Sequence, residues 1–201
     1  MNFGTLDNGH LERRLGTWCL GVALCLSVTV NVLQVVEIRS VNSSLRRARA
    51  GHREREIVGT RARSLSVHDL AGRPITLPVA APGKMTVIYV FSPRCGWCRR
   101  NLANLRALIG ASGSKYDFLP ISLNEAGLQK YWSEAGLAGP VYANPSRDTQ
   151  DAYGLGATPQ TIVVGSDGRV ARNWKGAYTG RLLTEVSELL DVQLPGLPEG
   201  Q

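Results

Sequence analysis

The sequence predicts an α/β domain in which a mixed β-sheet is flanked by helices on both faces. Along residues 57–192 the predicted elements follow the order β-α-β and then β-β-α, which combines parallel and antiparallel strands. The run Met85–Phe91 is apolar throughout, as expected of a central strand that is covered on both faces. A Cys-x-x-Cys pair directly follows this strand, where a helix-like pattern begins.

The domain begins near Ile57 with a predicted hairpin, Leu65–Leu77, whose two strands alternate around an Ala71-Gly72 turn. The remaining elements follow in chain order. A strand at Met85–Phe91 is followed by a helix at Gly96–Ile109, a strand at Tyr116–Leu123 and helices at Glu125–Ala135 and Asp148–Tyr153. A strand at Thr161–Val164, a turn at Ser166–Gly168, a strand at Val170–Trp174 and a helix at Thr179–Leu190 complete the domain. Residues 193–201 are predicted to form a loose C-terminal tail.

Residues 17–36 form a run of twenty residues without a formal charge, which is the length of one membrane-spanning helix. The polar residues 1–16 precede this run, and the charged residues 37–56 follow it as a linker. No small-residue cleavage site follows closely, and Arg13-Arg14 lacks the residues that usually surround a twin-arginine export signal. The sequence therefore predicts an uncleaved anchor in preference to a cleaved signal peptide or a twin-arginine signal.

The motif Cys95-Gly96-Trp97-Cys98 is typical of a redox-active dithiol. A helix N-terminus carries unpaired N–H groups and a partial positive charge, so a thiol there ionises more easily. We therefore predict that Cys95 is the exposed nucleophile and Cys98 the protected resolving thiol. Arg94 and Arg99 would add positive charge that stabilises the Cys95 thiolate. Trp97 would offer an aromatic surface to a partner.

Other uses of these cysteines and of the charge are disfavoured. A zinc site needs two more ligands, yet the chain has no second Cys-x-x-Cys, and its three histidines lie N-terminal to the motif without ligand spacing. Cys19 and Cys25 lie within the apolar run and are predicted to be inert. We expect no metal and no cofactor. The net charge of +7 is spread along the chain, which argues against nucleic-acid binding.

A second motif, Thr158-Pro159, opens a predicted apolar strand at a fitting distance after the dithiol. With it, the chain resembles the thioredoxin superfamily, and within it the TlpA/ResA-like group of membrane-anchored thiol:disulfide oxidoreductases. The resemblance covers roughly residues 57–192 and rests on four motifs: Asp69-Leu70-x-Gly72, Phe91-Ser-Pro-x-Cys-Gly-Trp-Cys98, Thr158-Pro159 and Ser166-Asp-Gly168. It implies a thioredoxin-like fold with an N-terminal hairpin extension, and a cis peptide bond before Pro159 that lies against the dithiol. The backbone of Thr158 would then pair with an extended substrate segment.

The resemblance also implies partners and a location. Such proteins exchange electrons with protein thiols and disulfides, can receive them from a membrane electron donor, and include proteins that serve the maturation of cytochrome c or of periplasmic enzymes. We therefore expect a domain on the periplasmic side of a bacterial inner membrane, tethered by residues 17–36. The arginine count conflicts with this orientation, because two arginines precede the apolar run and six follow it.

The sequence departs from the family pattern at two places. Tyr89 stands where thioredoxin has a buried aspartate, and Asn101 stands where many TlpA/ResA-like proteins have a glutamate. The proton acceptor of Cys98 and the direction of electron flow are therefore open.

Two alternative functions are kept. One is a peroxiredoxin-like thiol peroxidase, although Ile88 stands where its motif has proline. The other is a non-catalytic assembly factor that binds a partner through Trp97 and Thr158-Pro159.

Overall fold

The computed structural model describes residues 57–79 and 83–198, together with Leu26–Val28, Asn31 and Gln34, which are helical. By its internal contacts the chain divides into two compact units, residues 1–51 and 52–201.

The proposed membrane anchor lies largely outside the part of the chain that the structure describes. This holds for most of residues 17–36, and for the whole of the polar segment 1–16 and of the charged linker 37–56. Among the residues that are described, no helix has both the length and the apolar character needed to cross a bilayer. The anchor therefore stays a prediction from the sequence.

The described part of the second unit contains one seven-stranded mixed sheet. Its strands are β1 (Leu65–His68), β2 (Pro74–Leu77), β3 (Met85–Phe91), β4 (Tyr116–Ser122), β5 (Tyr142–Ala143), β6 (Gln160–Val164) and β7 (Val170–Lys175). They lie in the order β2-β1-β5-β4-β3-β6-β7. β3 pairs in parallel with β4 and antiparallel with β6, so the predicted central strand is confirmed.

In the described residues of this unit, five helices accompany the sheet: α1 (Gly96–Arg100), α2 (Leu102–Ala111), α3 (Leu128–Glu134), α4 (Arg147–Tyr153) and α5 (Gly180–Leu190). Alternate side chains of β3 enter two separate cores, as the two-residue period of a strand requires. Tyr89 and Phe91 pack with residues of α1, α2, α3 and α5, whereas Ile88 and Val90 pack with residues of β1 and α4. The predicted helices on both faces are therefore confirmed.

The predicted hairpin is confirmed, and its turn is stabilised by the side chain of Asp69. One carboxylate oxygen accepts hydrogen bonds from the N–H groups of Ala71 and Arg73, each at 2.9 Å. Gly72 has a φ of 74°, which a glycine adopts without steric cost. These hydrogen bonds, first those from Arg73, lower the pKa of Asp69 below its usual value.

The helix predicted at Gly96–Ile109 is in fact two helices, α1 and α2, that meet at Asn101. The backbone of Asn101 leaves the helical conformation, with φ −85° and ψ 3°, while its N–H still donates to the carbonyl of Trp97 at 3.0 Å. Its side-chain amide forms buried hydrogen bonds to Tyr89 and Tyr178. The break is therefore fixed by tertiary contacts that the apolar spacing of the sequence does not encode.

Three further differences separate the predicted elements from those observed. The two-residue strand β5, which bridges the hairpin and β4, was missed because two residues give no periodic signal. The helix predicted from Glu125 begins only at Leu128, after Gly127 with a φ of 77°. The tail prediction is wrong for its first part. Leu194 and Gly196 are buried, and Gly196 exchanges two backbone hydrogen bonds with the Asn104 amide, at 2.8 and 3.0 Å.

Candidate active site at the Cys95–Cys98 dithiol

Cys95 occupies the N-cap of α1, four residues after the end of β3. Its backbone is extended, with φ −81° and ψ 116°, and its sulfur accepts a hydrogen bond from the Cys98 N–H at 3.3 Å. Serine, threonine and aspartate commonly satisfy an N-terminal donor of a helix in this way. The Cys95 side chain is partly exposed, so a reactive sulfur lies where backbone donors and solvent meet.

Cys98 lies in the first turn of α1 and is fully buried. It packs in the same core as Phe91 and Leu105, and both cysteines are free thiols in this structure. The Cys98 N–H donates to the Cys95 sulfur, which holds the two cysteines close together. The pair thus has one accessible sulfur and one protected sulfur, which is the arrangement that stepwise dithiol exchange requires.

The two thiols have pKa values displaced in opposite directions. Partial burial opposes ionisation of Cys95, but hydrogen bonds from the Cys98 and Thr158 side chains and from the N–H groups of Cys98 and Trp97 outweigh it. The pKa of Cys95 is therefore lower than the ordinary 9.0. Burial first, and then the hydrogen bond to Cys95, raises the pKa of Cys98 to about 12. Cys95 is thus the thiol that ionises first.

The Thr158–Pro159 loop lies against this dithiol. The peptide bond between the two residues is cis, as the resemblance implies. The Cys95 thiol donates to the carbonyl of Thr158 at 3.4 Å, and the carbonyl of Pro159 accepts from the Gly176 N–H at 2.8 Å. The structure therefore brings together Cys95, Cys98 and the two residues predicted to bind substrate, although 60 positions separate Cys98 from Thr158.

The remaining predicted site residues lie on the surface of α1 and of the turn before it. Trp97 is 54% exposed, and the guanidinium carbon of Arg100 is 4.9 Å from the centroid of its ring. Arg94 and Arg99 are exposed. The largest favourable contributions to the Cys95 thiolate are hydrogen bonds rather than guanidinium charges. The thiolate-stabilising role of Arg94 and Arg99 stays a prediction.

A buried polar cluster lies behind Cys98, and sequence reasoning missed it. The Asn101 amide N–H donates to the Tyr89 hydroxyl at 3.0 Å, and its carbonyl oxygen accepts from Asn104 at 2.8 Å and from the Tyr178 N–H at 3.2 Å. Burial raises the pKa of Tyr89 well above its usual value, and the nearby charge of Cys98 raises it further. All four residues are neutral.

The sequence contained one signal for this cluster. Tyr89 and Asn101 were singled out separately as departures from two family positions, and the structure joins them by a hydrogen bond. The two positions at which the resemblance leads us to expect carboxylates thus hold neutral residues, and these two residues contact each other. In the described residues, no group of three or more His, Cys, Asp or Glu side chains is arranged to hold a metal ion.

Residues 58–173, more than half of the chain, match the AhpC/TSA family. The chain belongs to this family. Within the curated proteins, this AhpC/TSA chain is 25% identical over 135 residues to the thiol-disulfide oxidoreductase ResA of Halalkalibacterium halodurans. That alignment covers 66% of this chain and 76% of the relative.

Solved structures support the same fold for this AhpC/TSA member. A thiol:disulfide interchange protein from Bacteroides sp. superposes with a TM-score of 0.53 at 19% identity, covering 67% of this chain and 90% of the other. The thioredoxin domain of a thiol-disulfide oxidoreductase from Bacteroides vulgatus superposes with a TM-score of 0.52 at 18% identity, covering 66% and 97%. The predicted thioredoxin-like fold is confirmed, and the predicted thiol:disulfide oxidoreductase agrees with the names of these relatives.

Proposed function

We propose that this protein is a thiol:disulfide oxidoreductase that exchanges electrons with protein partners through Cys95 and Cys98. One observation carries the proposal. The partly exposed Cys95 thiol has a lowered pKa and accepts from the Cys98 N–H at a helix N-cap, the buried Cys98 thiol has a raised pKa, and the cis Thr158–Pro159 bond lies against the pair. This arrangement makes one sulfur the nucleophile and reserves the other for the second step.

The proposed reaction begins with attack of the Cys95 thiolate on a partner disulfide. A mixed disulfide forms between Cys95 and one partner sulfur, and the other partner sulfur leaves as a thiolate and takes up a proton. Cys98 then loses its proton and attacks the Cys95 sulfur. The second partner thiol is released, the protein holds a Cys95–Cys98 disulfide, and two electrons have passed to the partner. The same steps in reverse oxidise a partner dithiol.

The first step prepares the second. The pKa of Cys98 is raised by burial, and in addition by the hydrogen bond to Cys95 and by the Cys95 charge. When Cys95 enters a mixed disulfide, its negative charge disappears, so the last two contributions are lost. Cys98 therefore becomes more acidic when a partner is bound covalently to Cys95. In the reduced resting state, the proton stays on Cys98 and Cys95 remains the reactive sulfur.

The proposal also places the domain outside the cytoplasm, tethered to a bacterial inner membrane by residues 17–36. The apolar length of this run and the TlpA/ResA-like resemblance support the tether and the periplasmic side. A membrane electron donor and substrates such as cytochrome c or periplasmic enzymes under maturation follow from the same resemblance. A fusion of a reporter that is active only in the periplasm to the C-terminus tests the orientation. An inactive reporter would contradict it.

Redox titration tests the dithiol. The protein is equilibrated with mixtures of reduced and oxidised dithiothreitol, alkylated with a mass-adding maleimide and resolved by gel shift. We expect a single two-electron transition in which Cys95 and Cys98 change together. Two cysteines that never pair would refute the oxidoreductase. The Cys98→Ser variant, which cannot complete the second step, is expected to capture its protein partner as a mixed disulfide.

A thiol peroxidase is the second candidate, because the chain belongs to the AhpC/TSA family. Peroxide consumption by the Cys98→Ser variant decides between the two. A peroxidase reaction starts at a single cysteine and can be recycled by an added thiol, so it would survive this change. The oxidoreductase proposal expects that the variant consumes peroxide no faster than an ordinary free thiol.

A further inference from the structure

A groove of about 530 Å³ lies next to the dithiol. We call it the cationic groove and define it by its charged lining residues together with one tyrosine: Arg94, Arg99, Arg106, Lys130, Glu134 and Tyr131. Pro93 and Leu102 are apolar members of the same lining. Arg94 directly precedes Cys95, and Arg99 directly follows Cys98. A partner segment that leaves the reacting sulfur therefore has this groove within reach.

The lining carries four cations and one carboxylate, so its net charge is +3. Lys130 and Glu134 form a long ion pair of 3.8 Å with both side chains mostly exposed, which leaves most of the lysine charge available. Arg94 and Arg99 have no carboxylate partner within the residues that the structure describes. An unbalanced positive field in a groove concentrates anionic groups there.

Arg106 is held in a fixed position in this lining. Its Nε and one terminal nitrogen both donate to the carbonyl of Ala135, at 3.0 and 2.7 Å. The guanidinium group keeps its positive charge, because a carbonyl oxygen does not neutralise it. A planar guanidinium whose orientation is already fixed loses less entropy when it binds a carboxylate.

Tyr131 connects the cationic groove with the two sulfurs. Burial raises the pKa of its hydroxyl, and the charges of Cys98 and Cys95 raise it further, while those of Arg99 and Arg106 lower it. Tyr131 is therefore within electrostatic reach of both the dithiol and the groove cations. Its hydroxyl oxygen is buried and has no hydrogen-bond partner in the described part of the chain.

We propose that the cationic groove binds an acidic polypeptide segment that flanks the reacting cysteine of the partner protein. The four cations come from four separate places: the turn before α1, then α1, α2 and α3. Charges spread in this way match several carboxylates along a chain better than one small anion. The inference rests on the proposed function and adds a substrate class to it, namely disulfides and thiols next to Asp or Glu residues.

Rates of reaction with designed peptides test this inference. Three peptides share one disulfide and differ only in the four residues that flank it. These residues are Asp and Glu in the acidic peptide, Ser and Asn in the neutral peptide, and Lys in the basic peptide. Oxidation of the reduced protein is followed by stopped-flow tryptophan fluorescence, since Trp97 lies between the two cysteines in the motif. Each rate is divided by the rate of the same peptide with dithiothreitol, which removes the effect of flanking charge on the disulfide itself.

At low ionic strength we expect the normalised rate of the acidic peptide to exceed that of the neutral one about 10-fold, and the basic peptide to be slowest. In about 0.5 M salt the ratio of acidic to neutral rates should fall to about 2, because screening shortens the reach of surface charges. Equal normalised rates for the three peptides at low salt would overturn the inference.

Reversing the charge of one groove residue tests whether the preference for acidic peptides arises in the groove. Lys130→Glu is expected to reduce the acidic-to-neutral ratio by a factor of about 3 or more, because it changes the groove charge by two. The matched control is Arg147→Glu on α4, whose side chain is 94% exposed and whose helix packs in the opposite core. It makes the same change in net charge but should leave the ratio unchanged. If both variants reduced the acidic-to-neutral ratio equally, the preference for acidic peptides would come from the net charge of the protein, and the role of the groove would be refuted.

Two other outcomes are distinguishable. Glutathione disulfide carries carboxylates on a small molecule and is the probe for a non-polypeptide occupant. If its normalised rate equalled that of the acidic peptide, and Lys130→Glu lowered both rates by the same factor, the inference that the groove binds a polypeptide would be overturned. A reduced protein that reacts with none of the three peptides would refute the proposed function itself, and the inference with it. A protein that reacts with all three at equal normalised rates would refute only the inference.

Discussion

Cys95 is partly exposed at the N-cap of α1, whereas Cys98, three positions later, is fully buried. The first is close to backbone N–H donors at the helix start, and its pKa is lowered. The second lies in the core below it, and its pKa is raised to about 12. The same functional group thus has two different acidities within one helical turn, because hydrogen-bond donors stabilise one thiolate and loss of water destabilises the other.

This contrast extends to the surroundings of the two sulfurs. The neutral cluster of Tyr89, Asn101 and Asn104 lies behind Cys98, while the cationic groove lies beside Cys95. The buried side therefore keeps a proton on the resolving thiol, and the exposed side attracts negative charge toward the nucleophile. Burial thus sets the order of the two proposed steps, and the proposed role of the surface charge is to select the partner.

The nucleophile is expected to be indispensable. Cys95→Ser should lower the rate of disulfide exchange by more than about 1,000-fold, because a serine hydroxyl does not ionise at neutral pH. The measurement is reduction of insulin disulfides followed by turbidity. Cys98→Ser is the matched variant, and it should still form a mixed disulfide with a stoichiometric disulfide probe. Mixed-disulfide formation at Cys98 in the Cys95→Ser variant, at the wild-type rate, would reverse the assigned roles.

Alkylation at different pH values tests the opposite pKa displacements. At pH 8 we expect iodoacetamide to label Cys95 roughly 1,000-fold faster than Cys98 in the reduced protein, because the thiolate fraction of a group with a pKa near 12 is about 10⁻⁴. The Cys95 rate should rise with pH along a titration curve whose midpoint lies below 9.0, since its pKa is lowered. Peptide mass mapping gives both rates. A midpoint at or above pH 9 would contradict the lowered pKa.

Two tyrosine variants separate the polar cluster from ordinary burial. Tyr89→Phe should reduce the free energy of unfolding by about 1–3 kcal/mol, because it leaves the buried Asn101 N–H without its acceptor. Tyr131→Phe is the matched control, and it should change the free energy of unfolding by less than about 0.5 kcal/mol, because its hydroxyl has no partner to lose. Urea unfolding of the reduced protein measures both. Equal losses would mean that the cluster contributes nothing specific.

The smallest effect on stability is expected at the exposed aromatic residue of the motif. Trp97→Ala should change the free energy of unfolding by less than about 0.5 kcal/mol, because Trp97 is 54% exposed. The rate with a protein disulfide should nevertheless fall by about 3- to 10-fold if the ring contacts the partner. The rate with a small uncharged disulfide is the internal reference. An equal decrease with both substrates would place the effect on the dithiol and not on partner contact.

Much of the fold and the reactive pair could be predicted from local patterns. The apolar run of β3, the hairpin around Gly72 and the Cys-x-x-Cys at a strand-to-helix junction each depend on a few consecutive residues. Hydrophobic periodicity and turn chemistry act over such short distances, so they can be read without the fold. The break at Asn101, the strand β5 and the buried tail could not be read, because each depends on residues far away in the chain.

From spacing along the chain alone, the sequence indicated the class of the domain and the motif Thr158-Pro159, and it predicted Cys95 as the nucleophile. Only the tertiary structure decided which groups surround the two sulfurs. It pairs Tyr89 with Asn101, links Asn104 to Gly196, and gathers Arg106 and Lys130 from different helices beside Cys95. The physical reason is that acidity and charge complementarity depend on distances through space, and folding sets those distances.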